Sequence, residues 1–419
     1  MRAPGGEPFF KKRCLLLLML TVTDARARIL ASLTPTPPET VALAGAGGRV
    51  LAAPVIARLT QPPADVSAMD GFALRARDAP AGAMLKIVGS APAGHPFAGT
   101  VGRGEAVRIF TGSVIPEGAD SVLIQEDAGT DGERLTVNEA CVAGKNIRKA
   151  GQDFAEGEIL LEPGTRLTPA KIGLAAAGNH PWLAVHRKPR IAILATGDEI
   201  SLPGEVIPPG GIVSSNAHAL AAFVTQAGGD ATILPIALDT IDAITAGAQA
   251  ATGADLLVTT GGASVGAHDL VRDSLNSQGM DLNFWKIAMR PGKPLMFGRL
   301  GQLPILGLPG NPVSALVCAL LFLRPAIERL SGLPGEAPVT ESAILTAPLK
   351  ANDQREDFLR ATLARGETGW LVTPFAVQDS GMLKTLARAT ALINRPPHDP
   401  AQTAGASVSI VRLDAATGT

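Results

Sequence analysis

The stretch that decides the fold begins Arg190-Ile-Ala-Ile-Leu-Ala-Thr196-Gly197 and resumes at Asp255-Leu-Leu-Val-Thr-Thr260-Gly261-Gly262. Both are apolar runs closed by glycine, too short for helices and without the polar alternation of a strand that has one wet face. They read as parallel strands buried on both sides. Between them, Ser215 or Asn216 caps a helix that stops at Gly228-Gly229, 231–238 is a strand and 240–251 a helix. After them the Gly-Gly turn opens a helix from His268 to Ser277, and an apolar helix follows Pro312 to about Leu330. This β-α-β-α-β-α order predicts a doubly wound, mostly parallel sheet with right-handed crossovers.

Working outward, the chain has 419 residues, room for about three or four domains of ordinary size. We expect the sheet domain to span 189–332. A second region, 51–146, consists of short apolar runs cut by Gly and Pro (84–88, 106–110, 121–125 and 134–137) and reads as a β-rich module. The flanking stretches 19–50 and 147–188, the latter with a helical run at Pro169–Ala177, form one discontinuous helical or mixed domain into which the β module is inserted. Strand-like pieces at 343–345, 358–363, 370–372, 391–393 and 407–411 make 333–419 a C-terminal β-barrel-like domain.

Lys plus Arg is 37 and Asp plus Glu 38, a net charge of −1, which lacks the electrostatic footprint of a nucleic-acid or membrane binder. Tyr is absent and aromatics total 4%, so base stacking is excluded as a principal activity. Cys14, Cys141 and Cys318 form neither a C-x-x-C pair nor an even disulfide set, and a cytoplasmic location is expected. The basic Lys11-Lys12-Arg13 followed by the apolar run Cys14–Leu20 resembles a signal peptide only superficially, because a capped helix starts at Thr23 or Asp24, with apolar positions Ala27, Leu30 and Leu33. We expect translation from Met19, with residues 1–18 a non-native or disordered extension.

In a doubly wound sheet, ligands sit outside the carboxyl ends of the strands. Those ends carry Glu199, Asp239 and Asp269, beside Gly261-Gly-Ala-Ser264-Val-Gly266. Each acid alone also reads as a helix cap. Together, hard carboxylates next to a glycine loop whose N–H groups can cradle an anion suggest phosphate chemistry with Mg²⁺. A basic loop, Lys286-Ile-Ala-Met-Arg290-Pro-Gly-Lys293-Pro294, and a helix start at Gly307-Leu-Pro309-Gly310-Asn-Pro-Val-Ser314 both favour an oxyanion. Pro294 after Lys293 excludes a Walker A loop. Gly262-Ala-Ser-Val-Gly266 also matches the nucleophile elbow of serine hydrolases, but no suitable later His exists: His268 lies on the same turn and His398 among prolines. Ser264 is read as an anion-loop donor.

With these stand Ser67-Ala-Met-Asp70-Gly-Phe-Ala73, Thr111-Gly-Ser-Val-Ile-Pro116 and Thr196-Gly-Asp-Glu199. In this order the motifs resemble the molybdopterin molybdenumtransferases, MoeA-like proteins related to the gephyrin E domain, from about Met19 to the C-terminus. The resemblance implies a transferase of molybdenum cofactor biosynthesis that cleaves adenylylated molybdopterin with Mg²⁺, inserts molybdate at the dithiolene and releases AMP. It implies a homodimer whose cleft lies between the sheet domain of one subunit and the β module and C-terminal domain of the other, with an adenylyltransferase as a possible partner. Asp70, Thr111 and Asp153 would come from one subunit. Glu199, Asp239 and Asp269 would form the catalytic, metal-binding edge of the other. Gly261, Gly262, Ser264, Gly266, Lys286, Lys293, Pro309 and Gly310 would hold substrate, and Arg290 (lysine in many relatives), Ser314, Arg355 and Ser380 would hold molybdate. Alternatives on the same fold are an adenylyltransferase-like enzyme, which would consume ATP, and a non-catalytic pterin-binding scaffold.

Overall fold

The computed structural model describes residues 19–261, 270–367 and 369–413. They divide into two compact units, one comprising the chain through Glu39, Gly48–Ala52 and everything from Val185, the other Thr40–Gly47 and Ala53–Ala184.

The first unit is built on a six-stranded sheet in the order Asp230–Ile233, Arg190–Ala195, Leu256–Thr260, Leu303–Leu308, Met296–Leu300, Asp281–Trp285. The first four strands are parallel, Met296–Leu300 pairs antiparallel with the fourth, and Asp281–Trp285 pairs antiparallel with Met296–Leu300. Strand periodicity explains the apolar run at 190–195, since successive side chains leave on opposite faces. Ile191, Ile193 and Ala195 pack with Ala217, Leu220 and Val224 of the Asn216–Gln226 helix. Ala192 and Leu194 pack on the other face with Ile244 and Ala248 of the Ile241–Ala250 helix and Val271 and Leu275 of the Leu270–Ser277 helix. The second strand is shorter than expected, ending at Ile233. Pro235 follows two residues later and has no N–H to give the ladder.

Two further differences concern helices. The N-terminal helix is Val22–Ala31, capped by Thr21, whose Oγ1 accepts from Asp24 N–H at 3.0 Å. The cap lies earlier than Thr23; the buried stripe is Val22, Ala25, Ile29 and Leu33, and Ala27 is exposed. The helix after Pro312 continues to Leu330 through a π turn at Ala319–Leu323.

The C-terminal strands Thr340–Leu345, Glu356–Arg365, Trp370–Pro374, Ala391–Arg395 and Ser407–Arg412 close on themselves, because Glu356–Arg365 pairs with both Trp370–Pro374 and Ala391–Arg395. The result is a small closed barrel. A sixth short strand, Met289–Arg290 from the basic loop, joins it in parallel with Glu356 and Asp357. Phe358, Leu392 and Val411 of the barrel share one core with the apolar Pro312–Leu330 helix.

The second unit centres on a mixed six-stranded sheet ordered Ser121–Ile124, Gly71–Leu74, Glu105–Ile109, Met84–Ala91, Arg134–Val137, Ala128–Thr130. The Met-Asp-Gly-Phe motif leads into the Gly71–Leu74 strand, buried at all four positions. The Pro169–Ala177 helix lies where expected.

Candidate active site

A cleft of about 960 Å³ opens at the carboxyl ends of the parallel strands in the first unit. Its walls bring together Glu199, Gly261, Arg290, Lys293, Pro309, Gly310, Ser314, Arg355 and Ser380, residues drawn from sequence positions far apart. The strand Leu256–Thr260 ends at Gly261 with φ +101, and a Cβ there would lie 2.2 Å from the Thr196 carbonyl oxygen. Only glycine permits this approach of two strand ends. Gly262, Ser264, Gly266 and Asp269 lie outside the described residues.

The acidic side is short of partners. Asp239 N–H donates to Asp198 Oδ1 at 2.9 Å, but the buried Asp239 Oδ1 has no hydrogen-bond partner among the described residues. Burial, reinforced by the negative charges of Asp198 and Glu199, pushes the Asp239 carboxyl above its ordinary range. Asp239 is not among the residues that line the cleft, whereas Glu199 is.

The cationic side is the reverse. Arg290 is paired with Asp357, bonds Asp353 at 3.3 Å and Asn352 at 3.3 Å, and so brings little unbalanced charge to the cleft. Arg355 bonds Asp353 at 2.7 Å, which holds that carboxyl down at about 2. Lys293 lines the cleft; Lys286 does not, its Nζ resting 3.6 Å above the Trp285 ring.

Several positioning residues escaped the sequence reading. Asn216, expected only as a helix cap, sends Nδ2 to Thr260 Oγ1 (2.9 Å) and Gly310 O (2.7 Å), tying the helix start to both loops. Asn311 Nδ2 donates to Ser380 Oγ at 2.8 Å, and Val313 N–H to Ser380 O at 3.1 Å. Ser380 is thereby held beside Ser314, which is 5% exposed. The Gln378 side chain clamps both main-chain groups of Arg360 at 2.9 Å. The Asn-Pro sequence at a helix start was the available signal for Asn311; nothing local marks Gln378. The resemblance assigned the C-terminal contribution to a partner subunit, but Arg355 and Ser380 reach this cleft from the same chain, because the barrel shares its core with the sheet domain.

In the second unit, Asp70 Oδ1 accepts from Thr111 N–H (2.7 Å) and Thr111 Oγ1–H (2.8 Å), which keeps the carboxyl below its usual range. Asp153 occupies a separate turn, its N–H donating to Gln61 O at 3.1 Å. No hydrogen bond among the described residues joins it to Asp70.

Family models match the MoeA N-terminal region (domain I and II) over residues 20–178, a probable molybdopterin binding domain over 192–329 and the MoeA C-terminal region (domain IV) over 342–413. Molybdopterin molybdenumtransferase 2 of Mycobacterium tuberculosis is 37% identical over 393 residues, covering 90% of this chain and 96% of the relative. The chain belongs to the molybdopterin molybdenumtransferase family. The Haemophilus influenzae molybdopterin molybdenumtransferase is 35% identical, with 94% and 98% covered. A crystal structure of the molybdopterin biosynthesis MoeA protein of Pyrococcus horikoshii superposes with a TM-score of 0.81 at 27% identity, covering 94% of this chain and all of that one (100%). The transferase fold therefore extends over all the described regions of this family member. None of its described helices is long and apolar enough to cross a membrane.

Proposed function

We propose that this chain transfers molybdenum to molybdopterin, acting on the adenylylated pterin: its phosphoanhydride is cleaved, AMP leaves, and molybdate enters the dithiolene. The observation that supports this best is the cleft itself, which Glu199 at the sheet edge lines together with Lys293, the 311–314 helix start, Arg355 and Ser380. One end offers hard carboxylate for a phosphoanhydride and its cation. The other offers hydroxyl, guanidinium and helix-start donors for a tetrahedral oxyanion.

Glu199 and Asp239 would hold the divalent cation, together with Asp269 from outside the described residues. Among the described residues no three Asp, Glu, His or Cys side chains form a closed cage. That fits Mg²⁺, which takes one or two carboxylates and completes its shell with water and substrate oxygens, and the orphaned Asp239 Oδ1 is an oxygen it would satisfy. When bound, the cation would neutralise charge developing on the phosphoryl oxygens. Lys293 would hold phosphate oxygens. Ser314 and Ser380, fixed by Asn311, would donate to molybdate, with Arg355 oriented by Asp353.

Homodimerisation belongs to the same proposal, with Asp70, Thr111 and Asp153 supplied by a second copy, as do a cytoplasmic location and handover from an adenylyltransferase. The test is AMP release and formation of active cofactor from adenylylated molybdopterin with Mg²⁺ and molybdate, comparing wild type with Glu199→Gln and Asp239→Asn. Loss of AMP release in both folded variants is the expected result. Pterin binding without AMP release in wild type would leave a scaffold, and consumption of ATP would make the chain an adenylyltransferase.

A further inference from the structure

At one end of the second unit's sheet, Gly71 lies opposite both Ile109 and Ile124, so Asp70, Thr111 and Gln125 emerge together where the strands end. A side chain at Gly71 would close this end, because its Cβ would meet Leu123 O at 1.9 Å. Arg108 sits across from Phe72 in the ladder. Its guanidinium carbon lies 5.0 Å from the ring centroids of both Phe72 and Phe110. Nη1 donates to Gly71 O at 3.3 Å and Nη2 to Gln125 Oε1 at 2.9 Å. A fork stacked and tethered in this way has lost most of its freedom before any ligand arrives. Three of its five N–H donors remain for one. Next to it, both Thr111 bonds fall on Asp70 Oδ1, and Oδ2 has no partner among the described residues.

We propose that Arg108 and Asp70 together bind the lactam edge of a pterin, Arg108 donating to the C4 carbonyl and Asp70 Oδ2 accepting from N3–H and the 2-amino group. The assignment rests on the pterin substrate argued above. Its chemistry follows from the pairing of signs: an ionised carboxylate beside the guanidinium repels a free phosphate, and the guanidinium repels a cation. A neutral planar heterocycle with a carbonyl next to N–H donors complements both. Met69, 43% exposed beside Asp70, adds apolar surface for the ring. Arg108 thereby becomes a specificity-determining residue.

The experiment measures binding of 6-hydroxymethylpterin and 6-hydroxymethyllumazine to the full chain by ligand fluorescence and saturation-transfer NMR. Lumazine keeps the C4 carbonyl and N3–H but replaces the 2-amino donor with a carbonyl that opposes the carboxylate. Wild type is expected to prefer the pterin by roughly 10- to 100-fold, the worth of a hydrogen bond to a charged group. Asp70→Asn should bring the ratio close to one. Arg108→Met should weaken both ligands while retaining the preference, and Arg108→Lys should restore part of the loss; melting temperatures identify any variant that fails to fold, in which case the lysine variant carries the test. Equal binding of the two bicycles by wild type, binding of neither, or a ratio untouched by Asp70→Asn overturns the site. Selectivity through Asp70 in a protein that inserts no molybdenum would instead overturn the transferase reading and keep this one.

Discussion

The two sides of the cleft handle charge in opposite ways. Along the sheet edge, the Asp239 carboxyl feels the negative charges of Asp198 and Glu199, and one of its buried oxygens has no hydrogen-bond partner among the described residues. Along the barrel wall, Arg290 and Arg355 are already answered by Asp353 and Asp357. The first side is under-satisfied among the described residues, and the proposed cation would relieve it. The second is neutralised in advance, so its hold on an oxyanion depends on donor geometry more than on net charge. Strong binding of one partner and discriminating binding of the other is what such a contrast produces.

The contrast can be broken most severely at Glu199. Glu199→Gln should lower AMP release by roughly 10²- to 10³-fold, as loss of one aligned electrostatic group does; wild type should rise in melting temperature with Mg²⁺ and the variant should not. On the opposite wall, Asp357→Ala leaves Arg290 without its buried partner. Denaturant unfolding should show a loss of about 1–3 kcal/mol, tempered because Arg290 is half exposed. Gly261→Ala pushes a Cβ into the Thr196 carbonyl at positive φ and should cost about 1–3 kcal/mol by the same measurement. Turnover should fall with it.

Smaller effects sharpen the picture through pH. Asp239 has its folded-state pKa raised, so its burial as an anion weakens the native state at neutral pH. Without Mg²⁺, stability should rise as pH falls through the raised value, because the native carboxyl takes up its proton before the unfolded one. Asp239→Asn should flatten that rise in a pH series of melting curves. Asp353 shows the opposite sign. Its pKa is depressed from 3.8 to about 2, so its contribution is present above the unfolded value and lost as pH falls from about 3.8 through about 2. Asp353→Asn should remove only this acid-limb slope, a small effect for a solvent-screened pair.

Much of the architecture was legible before any coordinates. The strand at 190–195 announces burial on both faces, and Gly261-Gly262 marks where the strand ending at Thr260 turns. The extension at Asp281–Trp285 and Met296–Leu300 was not visible, since neither five-residue run has a period that separates it from a loop, and Asp281–Trp285, at the edge, mixes polar and apolar residues. Nor was the N-terminal buried stripe correctly phased: the core takes the face of Val22, Ala25, Ile29 and Leu33 rather than that of Ala27 and Leu30, because the elements packed against the helix decide which apolar face is covered. At the site, Glu199, Lys293 and Ser314 could be read from motifs because each follows a strand end or opens a helix. Arg108 and Gln378 carry no such local mark; their partners lie across strands.

By itself, the sequence determined the sheet domain, the presence of β modules on either side of it, and the residue types available for phosphate and oxyanion chemistry. Those depend on short-range patterns: burial periodicity, glycine at strand ends, donors at helix starts. Only the tertiary structure decided that the basic loop adds a strand to the C-terminal barrel, that Arg290 spends its charge on Asp357, and that Ser380 meets Asn311. These contacts join residues about 65 to 70 positions apart. Which cation finds which carboxylate at that separation is set by packing of whole elements, and no local pattern records it.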